Sequence, residues 1–160
     1  MHSVIGSKRR TKKEWKDSFT VGICELDVQH RGLLDLINKI GDLADGRGTV
    51  ESSAFGALNA MIRYADNHFR TEEGYLEKYC FPEYRQHKKE HEAFVETVFS
   101  MAQELENENG LSLGAIIFYL DDWYVDHVLG IDQGYKQFLS SRMADEAEAV
   151  SVENSEKAAG

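Results

Sequence analysis

Two short segments decide the fold of this chain: HFRTE at positions 68–72 and HKKEH at positions 87–91. Each begins with a histidine and ends, four residues later, with a second side chain that can bind a metal ion. An α-helix has about 3.6 residues per turn, so side chains four apart lie on one face and can converge on one ion. One such pair is a weak signal, but two pairs on successive helices predict that the helices share a metal site. The pairs are His68 with Glu72 and His87 with His91.

Two more groups of metal-binding residues lie outside these segments: His30 alone, and His127 with Asp132. The last two are five residues apart, which corresponds to an angle of roughly 140° on an ideal helix. Either the aspartate reaches around to a second ion, or the helix contains a π-bulge. Gly130 and Gly134 flank this turn and would permit a distortion.

Apolar residues recur at intervals of three and four, and each metal-binding group falls on the apolar face of a different predicted helix. Polar groups are costly there unless they have partners, so they need a common explanation. Short connections favour antiparallel neighbours. The predicted fold is all-α, an up-down-up-down antiparallel four-helix bundle with a di-metal site in its core. The helices are expected from about Val28 to Ala44 with Asp27 as N-cap, from Ser53 to Tyr79, from Pro82 to about Leu105, and from Ser112 onward.

The two ends of the chain differ in charge from the bundle. Residues 1–18 form a polar leader, 19–143 the bundle and 144–160 an acidic tail too poor in apolar residues to order itself, which predicts disorder. The leader's basic residues are expected to be solvated rather than to form a binding patch. They are Lys8, Arg9, Arg10, Lys12 and Lys13.

Overall composition excludes several classes of partner. The formal charge of −10 argues against nucleic acid, which needs a basic face. No apolar run approaches the ~20 residues that span a bilayer, and there is no signal-peptide pattern, so a cytoplasmic location is expected. Cys24 and Cys80 are too few for a disulfide framework and are expected to be free, buried thiols that bind no metal.

Seven nitrogen and oxygen ligands exceed the four that a structural zinc ion takes, so two ions use the set better. Imidazole suits iron, copper, zinc or nickel, and ligand type alone leaves copper open. A bundle with hydrogen-bonded histidines and no metal is disfavoured, because buried polar groups need more partners than these faces offer.

The candidate ligands are embedded in four longer runs of sequence. The runs are Trp15…Val21-Gly22-Ile23…Leu26-Asp27-Val28-Gln29-His30, then His68-Phe69-x-x-Glu72-Glu73, then Phe81-Pro82-x4-His87-x3-His91-x2-Phe94, and Trp123-x2-Asp126-His127-x4-Asp132-x2-Tyr135. Over about residues 14–139 they resemble the hemerythrin family, especially the bacterial hemerythrins. The resemblance implies two iron ions in a non-haem, oxo- or hydroxo-bridged di-iron centre that binds dioxygen reversibly. It assigns His87, His91 and His127 to a filled iron, His30 and His68 to an iron with a vacancy, and Glu72 and Asp132 to the bridge.

The ligand set favours binding over oxidative catalysis. Ferritin-like di-iron enzymes use four carboxylates with paired Glu-x-x-His motifs, which are missing from this sequence. We therefore expect a dioxygen carrier or store, not an enzyme. Two alternatives remain: a sensory domain of a larger signalling protein with a protein partner, and a peroxidase, nitric-oxide reductase or iron oxidase. The enzyme ranks last, because no electron-donor site is evident.

Four residues near the ligands are candidate walls of the dioxygen pocket: Phe69, Trp123, Tyr124 and Val128. Ordinary core packing explains the first, second and fourth of them equally well. Tyr124 stands where the family usually has an aliphatic residue. Its hydroxyl could point inward, toward a bound ligand or the entrance of the pocket. Alternatively it could point outward into solvent while the ring packs against the protein.

Overall fold

In a computed structural model, the described residues are 10–47, 53–107 and 111–159. Within these ranges the protein is all-helical and has no β-strand. Helices α1 to α3 and a composite fourth rod form an antiparallel four-helix bundle, as predicted. Their bounds are α1 Cys24–Ala44, α2 Ala54–Lys78, α3 Tyr84–Glu106, and then α4 Leu113–Trp123, a π-helical segment Tyr124–Ile131 and α5 Asp132–Ala159.

Two apolar clusters, one toward each end of the bundle, show its up-down-up-down order. Along α1 the chain passes from Leu26 in one cluster to Leu33 in the other. Along α2 it returns, from Phe69 to Leu76. Along α3 it passes from Tyr84 to Phe94, and along the fourth rod from Val128 to Tyr135. Metal-binding candidates lie between or directly beside these positions on every rod. They therefore form a polar layer between two apolar clusters, which keep it away from solvent.

The fourth rod is π-helical over Tyr124–Ile131, which includes His127 and ends just before Asp132. A π-helix bonds each residue to the fifth one along, so it brings positions five apart toward one face. This confirms the π-bulge that the spacing of the two residues suggested. At Gly130 an added Cβ would meet only the Val125 carbonyl oxygen, at an ordinary 3.7 Å.

The described part of the leader packs along α1 and α4. Arg10 donates to both carboxylate oxygens of Asp121, at 2.8 and 2.7 Å. The Asn38 side chain accepts from the backbone N–H of Lys13 at 3.0 Å and donates to its carbonyl at 2.8 Å. The prediction that these basic residues are solvated is therefore wrong for Arg10 and Lys13. Residues 8–9 lie outside the described residues.

Three boundaries differ from the predicted ones. Helix α1 begins four residues early, and Asp27 caps nothing: its carboxylate instead accepts the backbone N–H of Val21 at 2.8 Å. Pro82 lies in the turn before α3 rather than in its first turn. The segment from 144 is helical as far as Ala159 instead of disordered, because α5 propagates through residues with good helix propensity. The division into leader, bundle and tail remains a prediction.

Both cysteines are exposed free thiols, so the prediction that they are buried is wrong. Cys24 opens α1, and Cys80 follows α2 with a positive φ of 57°. No helix in the described ranges is long and apolar enough to cross a bilayer.

Candidate metal centre

All seven predicted ligands come together in the interior of the bundle. None of them is more than 3% exposed, and Glu72 and Asp132 are fully buried. Each of the four rods contributes at least one side chain to the cluster, so no single helix could form it alone. The histidines in it are His30, His68, His87, His91 and His127.

The two oxygens of Glu72 face opposite sides of the cluster. Oε2 lies 3.4 Å from Nε2 of His68 and 3.6 Å from Nε2 of His30. Oε1 contacts Nε2 of His87 and lies 3.5 Å from Nε2 of His91. One carboxylate thus separates a group of two imidazoles from a second group.

Asp132 repeats this division with its own two oxygens. Oδ2 lies 3.2 Å from Nε2 of His30. Oδ1 lies 3.4 Å from Nε2 of His127 and 3.5 Å from Nε2 of His87. The cluster therefore has two sides with different numbers of imidazoles, and each carboxylate presents one oxygen to each side. Candidate ligand atoms within 4.8 Å of one another form one set on each side: Glu72 with His87, His91 and His127, and Glu72 with His30 and His68.

Several polar atoms of the cluster are buried without a hydrogen-bond partner. They are both ring nitrogens of His30, Nε2 of His91, Nε2 of His127 and both oxygens of Asp132. Each unsatisfied buried polar atom costs about 1–3 kcal/mol, and more when it is charged. Metal coordination would satisfy nearly all of them at once, because they are imidazole nitrogens and carboxylate oxygens aimed at one interior region. The residues present therefore fit a metal centre.

Burial and the carboxylates set the protonation of the cluster. Burial lowers the pKa of His68 to about 3, and burial with the neighbouring imidazoles lowers that of His127 to about 2. Burial also opposes charge on His30, but the nearby carboxylates of Asp132 and Glu72 outweigh it and raise the pKa to about 9. Burial and the nearby Glu72 carboxylate raise the pKa of Asp132 to about 6. Neutral imidazoles, such as those of His68 and His127, are the form that binds metals.

Side chains outside the cluster orient two of the imidazoles. Nδ1 of His68 donates to Oε1 of Gln29 at 2.9 Å. Nδ1 of His91 donates at 3.0 Å to Glu73, whose other oxygen accepts from Lys88. With Nδ1 as the donor, Nε2 of each ring presents its lone pair to the interior. Sequence reasoning gave these outer partners no role, although Gln29 and Glu73 are each adjacent to a candidate ligand.

Tyr135 is a further residue whose role the sequence did not indicate. Its side chain is fully buried, and its hydroxyl donates to Oε2 of Glu72 at 3.1 Å. Burial and the nearby carboxylates raise the pKa of this phenol well above its ordinary value, so it stays a donor.

The predicted pocket residues pack around the cluster. The Phe69 ring stacks on His91 with centroids 3.8 Å apart, and the Trp123 ring stacks on His127 at 4.5 Å. Tyr124 is fully buried, so its hydroxyl does not point outward into solvent. The hydroxyl donates to the main-chain carbonyl of His30 at 3.2 Å. Val128 is also fully buried. Their contact with a bound ligand remains a prediction.

This geometry defines a class: a four-helix bundle with a buried, histidine-rich, two-sided metal site. The sequence profile of the Hemerythrin HHE cation binding domain matches residues 21–139. The chain therefore belongs to the hemerythrin family, as its motifs predicted.

Known proteins similar to this chain agree with that placement. A hemerythrin of Sipunculus nudus is 34% identical over 126 residues, which are 78% of this chain and 92% of that protein. A bacteriohemerythrin of Clostridium acetobutylicum is 28% identical over 124 residues, 76% of this chain and 96% of that protein. A crystal structure of a wild-type hemerythrin superposes with a TM-score of 0.72 at 26% identity, covering 81% of this chain and 99% of that one.

Proposed function

We propose that this chain binds dioxygen reversibly at a non-haem di-iron centre and acts as an oxygen carrier or store, not as an enzyme. One observation carries the proposal: two buried carboxylates each present one oxygen to a side with three imidazoles and one to a side with two. Family membership supports it, because the similar proteins bear the names hemerythrin and bacteriohemerythrin.

The proposed ligands fall into two sets, according to the distances between their nitrogen and oxygen atoms. His87, His91 and His127 would hold one iron, and His30 and His68 the other. Glu72 and Asp132 would serve both. The His30 side has one imidazole fewer, so a coordination position is left there for an exogenous ligand.

When bound, the iron pair would supply electrons and an open coordination position for dioxygen. The residues of the chain keep that exchange reversible in three ways. Two carboxylates supply little negative charge, which disfavours highly oxidised iron. Burial of every ligand excludes bulk water, and Phe69 and Trp123 place apolar rings directly against two imidazoles. Gln29 and Glu73 hold the tautomers of His68 and His91 that leave Nε2 free to bind.

Metal analysis combined with absorption spectroscopy tests the proposal. The protein reconstituted anaerobically with iron(II) should contain two irons per chain, develop a visible absorption band in air and lose it on deoxygenation, over repeated cycles. The variant Tyr75→Phe should behave as the unmodified protein does, because the Tyr75 hydroxyl hydrogen-bonds at the bundle surface, away from the ligands. Binding of one iron, or an irreversible spectral change on the first exposure to air, would contradict a reversible di-iron carrier. Sustained turnover without bleaching would favour an enzyme.

A second candidate, a dioxygen- or redox-sensing domain, is favoured by the continuity of the fourth rod. Helix α5 begins at the proposed bridging residue Asp132 and runs without a break to Ala159, about 42 Å at 1.5 Å per residue. A shift at Asp132 could therefore reach residues 144–159. Hydrogen exchange of residues 144–159 in the reduced and oxygenated protein separates the two functions. A change in protection supports the sensor, and identical exchange supports the carrier.

A further inference from the structure

The buried cluster needs a route by which its metal ions enter. None of the seven groups is more than 3% exposed, and the carboxylates show no exposed surface. In the described part of the chain, one surface groove reaches the cluster at His87 and another reaches it at His91. The charged side chains of one lining are all acidic and those of the other are of both signs, and the two grooves also differ in steric access.

The groove at His87 lies between the start of α3 and the fourth rod and has a volume of about 330 Å³. His87 is the buried residue in its lining, so it forms the floor. The charged side chains that line it are Glu83 and Glu90, with no lysine or arginine among them. Gln86 donates to Oε1 of Glu90 at 2.7 Å and so holds that carboxylate in the groove. A cation approaching His87 here meets only negative charge.

Gly134, on the wall of this groove, lies beyond the π-helical segment whose distortion it was expected to permit, so the backbone does not need a glycine here. It lies in α5 without a positive φ, and a Cβ added there would have no atom within 4 Å. Alanine in a helix is about 1 kcal/mol more favourable than glycine. Neither backbone conformation nor close packing accounts for this residue. Gly134 lines the same groove as His87, so a long side chain at this position would take up space in the groove.

The groove at His91, between α2 and α3, suits a cation less well. Its lining carries both signs of charge: the acidic residues Asp66, Glu73, Glu92 and Glu96, and the basic residues Arg70 and Lys88. Lys88 pairs with Glu73, which in turn accepts from Nδ1 of His91. Phe69 is stacked on the His91 ring. An incoming ion would have to displace Phe69 and break these pairings to reach the His91 imidazole.

We propose that the groove beside Gly134 is the port through which divalent metal ions enter and leave the buried site. Glu83 and Glu90 gather the ion at the mouth and His87 receives it at the floor. Gly134 keeps the passage wide. The inference rests on the proposed two-metal function, since a port requires a site that binds metal.

Filling the groove tests the port. The apo-protein is mixed with cobalt(II), whose visible spectrum reports imidazole coordination without dioxygen, and release is measured with excess chelator. Three variants add graded bulk: Gly134→Ala, Gly134→Leu and Gly134→Phe. The matched controls carry the same substitutions at Gly74, which is also helical and exposed, with no atom within 4 Å of an added Cβ, but lies outside the groove.

The port predicts slower exchange with unchanged affinity. Gly134→Phe should slow uptake and release by the same factor, about tenfold, which corresponds to a barrier about 1.4 kcal/mol higher. Gly134→Ala should have little effect, and the Gly74 series should keep the original rates. Glu83→Gln combined with Glu90→Gln should slow uptake and weaken its dependence on salt.

Unchanged rates in the Gly134 series would overturn the port and leave the proposed site intact. Slower uptake with lost affinity would also overturn it, because the substitution would then act on the ligands rather than on the passage. If the unmodified protein bound no cobalt, the two-metal site itself would fail, and the port with it.

Discussion

Removing the hydroxyl of Tyr135 should weaken both the fold and the binding of metal. This buried phenol donates at 3.1 Å to Oε2 of Glu72, the oxygen that faces His68 and His30. A hydrogen bond to a charged group contributes about 1.5–3 kcal/mol, so Tyr135→Phe should lower the unfolding free energy of the apo-protein by about that amount. Partners that orient a ligand typically change metal affinity by about 10–100-fold, so affinity should also fall by at least the lower factor.

Tyr75→Phe provides a control with the same chemistry in a different environment. Tyr75 donates to Oε2 of Glu25 at the same 3.1 Å, but at the exposed surface. Its loss should change the unfolding free energy by no more than about 0.5 kcal/mol and leave metal affinity unchanged. Urea unfolding of the apo-protein gives the first quantity, and competition with a chelator gives the second. Equal effects of the two substitutions, or no effect at position 135, would refute the reasoning that burial strengthens the contribution of the Tyr135–Glu72 hydrogen bond to stability and metal affinity.

Three further substitutions test other parts of the site and its frame. Gln29→Leu leaves Nδ1 of His68 without its acceptor, so chelator competition should show about tenfold weaker binding on that side. Glu72→Ala removes an oxygen from both sides and should impair binding of both ions, whereas His68→Ala should spare one, as counted by metal analysis. Asp121→Asn should lower the unfolding free energy by about 1 kcal/mol at pH 7, because it breaks the pairing with Arg10. Burial opposes charge on Asp121, but Arg10 holds the pKa of this carboxyl below its ordinary 3.8. The contribution of Asp121 to the unfolding free energy is therefore present above that pH and is lost as the pH falls through the lowered pKa. Urea titrations at several pH values should show that Asp121→Asn removes this part of the acid dependence.

The helices and the ligand candidates could be predicted because both follow from spacing along the chain. Ser53, for example, was expected to open α2, and its side chain caps that helix by accepting from the backbone N–H of Gly56 at 2.9 Å. Asp27 failed as a cap, because its carboxylate bonds to Val21, a backbone group that only the fold brings near. The solvated leader failed for the same reason: Asp121, the partner of Arg10, is 111 positions away.

The outer partners of the site also escaped prediction. Gln29 meets His68 from another helix, 39 positions away, and Tyr135 meets Glu72 from a distance of 63 positions. Neither spacing has a periodic signature, since each depends on how two rods are rotated against one another. Tyr124 illustrates the same limit, because its hydroxyl reaches the carbonyl of His30, a partner that no local pattern indicates.

The sequence by itself determined that four helices would each bring metal-binding groups to an apolar face, since periodicity and burial cost are local properties of the chain. Only the tertiary structure decided how those groups are shared: which oxygen of Glu72 and which oxygen of Asp132 faces which imidazoles. The reason is that these relations depend on the axial offset and rotation of packed rods. Those quantities are set by side-chain packing across the whole core, and no single segment encodes them.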